Sequence, residues 1–174
     1  YFKLNGKPVY MKGANYIPQN IFLPEVHQGN YVKLINEVVD SNMNMLRVWG
    51  GGAYEDNFFY QLCDAKGVLV WQDFMFACAM YPGDEVFLEN VKQEAIENIK
   101  KLRQHPSIAL WCGNNENSEG WHRWGWKDGK TEIQQQEIWN SYYAVFNHIL
   151  PQVVDSLHPS VSYWESSPKF GRGD

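Results

Sequence analysis

A chain of 174 residues is long enough to bury one real core, and 44% hydrophobic against 20% charged residues marks it as globular, not disordered. A net charge of −5 without any Lys/Arg block argues against nucleic acid or an anionic membrane as partner, and no apolar run approaches the ~18 residues of a membrane span. The 8 Trp, 10 Tyr and 9 Phe exceed what one core needs, so some rings are expected to line a cleft or an interface.

Cys63, Cys78 and Cys112 form an odd set without C-x-x-C spacing and are read as buried free thiols. The 5 His show no H-E-x-x-H pattern, so neither a metal nor a cofactor is expected. The chain opens on Tyr1 and not on Met, which suggests excision from something longer.

In chain order, the Asn5-Gly6 turn between short apolar runs predicts a leading hairpin or linker strand over residues 1–12. Gly13 to Ile17 is a short strand ending near Asn15 and Pro18. Tyr31, Leu34, Ile35, Val38 and Val39 recur at helical spacing and predict a helix from about Gly29 to Ser41. Met45 to Trp49 is the next strand, ended by Gly50-Gly51-Gly52, which leaves room beside Trp49. A helix carrying Phe58, Leu62 and Cys63 stops at Gly67, and Val68 to Asp73 is another apolar strand. Asp84 caps a long helix striped by Phe87, Val91, Ala95, Ile99 and Leu102. Ile108 to Cys112 is a strand, followed by a tryptophan-rich loop holding Trp121, Trp124 and Trp126. Thr131 to Gln134 is a capping box, and its helix is expected to end or kink at Pro151. Val161 to Glu165 is the final strand.

Alternation of apolar strands with amphipathic helices means parallel strands covered by helices. Nearly every strand ends in polar chemistry, which favours a (β/α)8 TIM barrel over a doubly wound sheet. A closed barrel needs about 250 residues. The expected fold is therefore α/β, a partial TIM barrel of about the first five β/α units, with residues 1–174 as the N-terminal part of its domain. Gly50-Gly51-Gly52 lacks the spacing of a nucleotide-binding loop.

Glu116, at a strand mouth beside tryptophans, is the candidate general acid, because a carboxyl partly withdrawn from water keeps its proton longer. Asn115 is placed to hydrogen-bond a sugar hydroxyl. Glycoside hydrolysis needs a second carboxylate. Asp73 either lines the pocket or pairs with Arg47, Glu119 is expected in solvent, and Glu165 is a decoy at the last strand, so the nucleophile is expected beyond Asp174. Trp49 and Trp124 are candidate sugar platforms, whereas Trp71 and Trp111 read as packing. Arg47 shares the inward face with Trp49 by period-two alternation, and a charge there is usually paired.

The segments Lys12 to Pro18, Arg47 to Gly52, Trp71 to Cys78, Trp111 to Glu116 and Tyr163 to Pro168 closely resemble the catalytic domain of the β-mannosidases of glycoside hydrolase family 2. The resemblance runs through the whole chain. It implies a retaining exo-glycosidase with a (β/α)8 barrel, Glu116 as acid/base and Asn115 on the 2-hydroxyl. It places Trp49, Cys78 and Trp124 around the terminal mannose, with Asn15 and Asp73 also counted as substrate-binding, and Arg47 supporting a nucleophile on a later strand. The implied partner is an oligosaccharide with terminal β-mannose, and the isolated piece is expected to be inactive and to self-associate through its open edges. Two other readings remain: a family 2 β-galactosidase or β-glucuronidase, and a non-catalytic sugar-binding piece.

Overall fold

The computed structural model describes residues 1–169. The chain begins with a hairpin, β1 (Phe2–Leu4) against β2 (Lys7–Val9), antiparallel. Asn5 and Gly6 both have positive φ, the geometry of the two-residue turn that matches strand twist.

Five parallel strands follow in sequential order: β3 (Gly13–Tyr16), β4 (Met45–Val48), β5 (Leu69–Asp73), β6 (Ile108–Cys112) and β7 (Ser162–Trp164). Helices α1 (Gln28–Asp40), α2 (Asn57–Lys66) and α3 (Glu85–Leu102) make the first three crossovers. The last crossover carries α4 (Asn117–Arg123) and a long helix of three parts: α5 (Glu132–Tyr143), a π-helical turn (Ala144–Ile149) and α6 (Leu150–Leu157). Fold and strand count follow the sequence expectation of about five units of a TIM barrel.

The central strands are the most buried, whereas three of the four β3 residues are exposed and β7 has no fully buried residue. Leu46 and Val48 of β4 join the main core under the helices, with Val70 and Trp111 of the neighbouring strands. Arg47, between them, projects to the opposite, inner face. The caps form as the sequence implies. The Asp84 carboxylate accepts from the Phe87 amide, Gly67 closes α2 in the left-handed region, and both halves of the Thr131–Gln134 capping box are made. Each such cap contributes on the order of 1 kcal/mol.

Three local expectations are corrected. The tryptophan-rich stretch is not all loop, since α4 begins at Asn117 and carries Trp121 into the interior, stacked on Trp139. Pro151 does not end its helix. The Leu150 amide reaches the Val145 carbonyl in a wider turn just before it, which makes room for the proline ring and for the N–H it lacks. On α2 the buried residues are Phe59, Tyr60 and Cys63, while Phe58 and Leu62 are only half-buried.

Candidate active site

The C-terminal ends of β3 to β6 converge on one network on the inner face. The parallel register sets Asn15 beside Arg47 and Arg47 beside Trp71. Asp73, at the end of β5, is fully buried and takes four donors: Arg47 Nε at 3.2 Å, Arg47 Nη2 at 2.8 Å, the Gly50 amide at 3.0 Å and the Trp71 indole at 2.9 Å. Burial pushes its carboxyl up from the usual range, and the guanidinium with the other donors pulls it back. With four donors converging on it, we assign the anion at neutral pH. The Arg47 guanidinium also lies over the Trp71 ring, 5.2 Å from its centroid. Of the two sequence readings of Asp73, the pairing with Arg47 is the one made here, and four protein donors meet its carboxylate.

Arg47 reaches in two further directions. Its Nη2 donates to Asn115 Oδ1 at 2.9 Å and its Nη1 to Asn15 Oδ1 at 3.4 Å. The Asn115 amide passes the connection on, donating to Glu116 Oε2 at 3.1 Å and to Cys78 Sγ at 3.4 Å. The Cys78 thiol in turn donates to Glu116 Oε2 at 3.7 Å. Asn15, Arg47, Asp73, Cys78, Asn115 and Glu116 are therefore one connected cluster. Beside it, Met11, Gly13, Asn15, Met45, Arg47 and Trp71 line an open hollow of about 430 Å³. A larger recess of about 880 Å³ at the start of α1 contains none of the cluster residues.

Two residues of the cluster sit where L-residues are strained. Glu116 has φ 64° and Cys78 φ 49°. Each costs on the order of 1–3 kcal/mol, and such strain collects at functional sites. Hydrogen bonds between the loops hold it in place. The Cys78 amide donates to the Asn115 carbonyl at 2.9 Å, and the Glu116 amide to the Ser167 carbonyl at 3.0 Å. Cys78 is exposed, which corrects its assignment as buried, whereas Cys63 and Cys112 are buried and their thiols are raised, Cys63 to about 12.

Trp49, half-buried at the end of β4, leans over Gly51: a Cβ there would fall inside its ring. Trp124 is 50% exposed beyond the far end of α4, against Trp126 with ring centroids 5.9 Å apart. Glu119 pairs with Arg123 at 3.4 Å, and Glu165 accepts from the Asn147 amide, so both are engaged away from Glu116. Among the described residues, no group of three or more His, Cys, Asp or Glu is placed to hold a metal ion.

No family model matches the chain. Over 174 residues it is 51% identical to the β-mannosidase of Bos taurus, covering 98% of this chain and 19% of that protein. The crystal structure of the β-D-mannosidase from Dictyoglomus thermophilum superposes with a TM-score of 0.86 at 47% identity, over 97% of this chain and 20% of that one. The chain belongs to the β-mannosidases of glycoside hydrolase family 2. It spans about a fifth of the length of these β-mannosidases. A β-glucuronidase from Bacteroides uniformis shares the fold, with a TM-score of 0.76 at 20% identity over 91% of this chain and 18% of that one.

Sequence reasoning singled out six of the cluster's residues but missed the layer beneath them: Asn114, Ser166 and the Ser167 backbone. Asn114, beside Asn115 at a strand end, was the one visible signal.

Proposed function

We propose that the chain is part of the catalytic barrel of a retaining exo-β-mannosidase that removes terminal β-D-mannose from oligosaccharides. The observation that carries this reading is the Asn115 amide, which joins the Arg47–Asp73 pair to the Glu116 carboxylate at the mouth of the strands. Glu116 protonates the departing glycosidic oxygen, then takes the proton of the water that opens the glycosyl-enzyme. The nucleophilic carboxylate comes from residues outside these 174, and Arg47, held by Asp73, faces it as a fixed positive charge. Asn115 turns its amide from Glu116 to the sugar 2-hydroxyl, a bond that strengthens as the ring flattens. Trp49 offers a flat apolar face to the sugar C–H groups, and Asn15, Cys78 and Trp124 border the approach.

The test is Glu116→Gln in the full-length protein that carries this chain. Turnover of a β-mannoside with a poor leaving group is expected to fall roughly 10²- to 10⁴-fold; near-normal rates refute the acid role. A panel of chromogenic β-glycosides on the same protein tests the sugar, and preference for a β-galactoside or β-glucuronide over the β-mannoside refutes it.

A further inference from the structure

Asn114 is completely buried, and every hydrogen-bonding valence of its side chain is used. A primary amide has two N–H donors and two acceptor lone pairs. Asn114 Nδ2 donates to the Glu165 carbonyl at 2.8 Å and to the Tyr142 hydroxyl at 3.4 Å. Asn114 Oδ1 accepts from the Asn117 amide at 3.1 Å and from the Ser166 hydroxyl at 2.8 Å. One side chain thus ties the start of α4, the helix α5 and the segment after β7 to the end of β6.

Backbone bonds run beside it. The Gly113 amide donates to the Trp164 carbonyl at 2.7 Å, and the Ser167 amide to the Asn114 carbonyl at 3.0 Å. Gly113 has no room for a side chain, since a Cβ would strike the Glu165 carbonyl. The residues flanking Glu116 are therefore anchored on both sides, at 113–115 and at 117, and the strained left-handed turn is confined to Glu116 itself. Its carboxylate accepts from the Asn115 and Cys78 side chains, and its aim depends on where that turn is held.

We propose that Asn114, seated on Ser166, is a positioning residue for the acid/base: it holds the turn that points the Glu116 carboxyl at the leaving-group oxygen. This rests on the reading of Glu116 as acid/base. A merely structural role would lower all activities alike, whereas misaimed proton donation hurts only substrates that need a proton. In the full-length protein, kcat/KM is measured for 2,4-dinitrophenyl β-mannoside, whose leaving group needs no acid, and for phenyl β-mannoside, whose leaving group does. Asn114→Ala is expected to lose roughly 10- to 100-fold more on the phenyl substrate than on the dinitrophenyl one. Ser166→Ala, which removes the 2.8 Å bond to Asn114 together with a hydrogen bond to the Tyr142 hydroxyl, is expected to show the same bias at about threefold. Equal losses on both substrates in folded Asn114→Ala overturn the proposal; if that variant does not fold, an unbiased Ser166→Ala overturns it. Glu116→Ala runs in parallel. A strong bias there with none in the other two sinks the positioning role alone, and absence of bias in Glu116→Ala sinks the acid/base reading itself.

Discussion

Removing the Asp73 carboxylate is the sharpest test of how the inner face is held together. Asp73→Ala leaves Arg47, whose side chain is 12% exposed, without its ion-pair partner, and leaves the Gly50 amide and the Trp71 indole without an acceptor. Breaking a buried pair from one side costs about 3–5 kcal/mol, and each stranded neutral donor about 1 kcal/mol more. Against this, Arg47 keeps Asn115 at 2.9 Å, Asn15 at 3.4 Å and the Trp71 face. The net expectation is a loss of about 4 kcal/mol. Taking both partners away together, in Arg47→Met/Asp73→Leu, strands no charge and is expected to cost no more than about 2 kcal/mol. Urea unfolding followed by tryptophan fluorescence reads both variants, with m checked for constancy. A double variant as damaged as Asp73→Ala refutes the argument, because the loss would then come from packing and not from an orphaned cation.

Two further outcomes are expected. Gly51→Ala drives a methyl into the Trp49 ring and displaces it, so KM for a β-mannoside in the full-length protein should rise about tenfold, near 1.4 kcal/mol, with kcat little changed; an unchanged KM removes Trp49 from the sugar site. His158 accepts the Trp111 indole proton on Nδ1 at 3.2 Å, and its pKa is lowered by burial and then by Arg103. Folding therefore favours the neutral ring. The unfolded chain binds more protons, so the stability linked to this ring is present above about pH 6.5 and is lost as pH falls below it. Denaturant midpoints across pH 5 to 8 should show that slope and lose it in His158→Gln, and an identical slope in the variant refutes the assignment.

The larger architecture was readable because its signals are local. Apolar runs ending in polar residues located the strands, and period-two alternation set Arg47 on the inner face. Caps at Asp84 and Thr131 were legible for the same reason: donor and acceptor lie within one turn. What escaped notice depends on distance along the chain. Asn114 finds Tyr142, Glu165 and Ser166 at separations of 28, 51 and 52 residues, which no window of sequence displays. Cys78 read as buried because a thiol is usually so, while it sits exposed on a left-handed turn whose amide is held by the Asn115 carbonyl in the loop after β6. Helix α4 was invisible because Asn117, Ser118 and Gly120 are poor helix formers without apolar periodicity. The wide turn before Pro151 shows tertiary packing overriding a breaker: Phe146 and Leu150 both reach the core through it.

The dependence of the Glu116 amide on the Ser167 carbonyl also orders events in time. During synthesis the ribosome releases Glu116 well before Ser167, so the strained turn at Glu116 has no settled pose until the fifth parallel strand has been made and docked. Contacts this remote in sequence form late, after their loop-closure cost has been met. A nascent chain stalled short of that point would hold the Glu116 carboxylate without the carbonyl that fixes its turn, and the turn would settle only after the neighbouring strand closes on it.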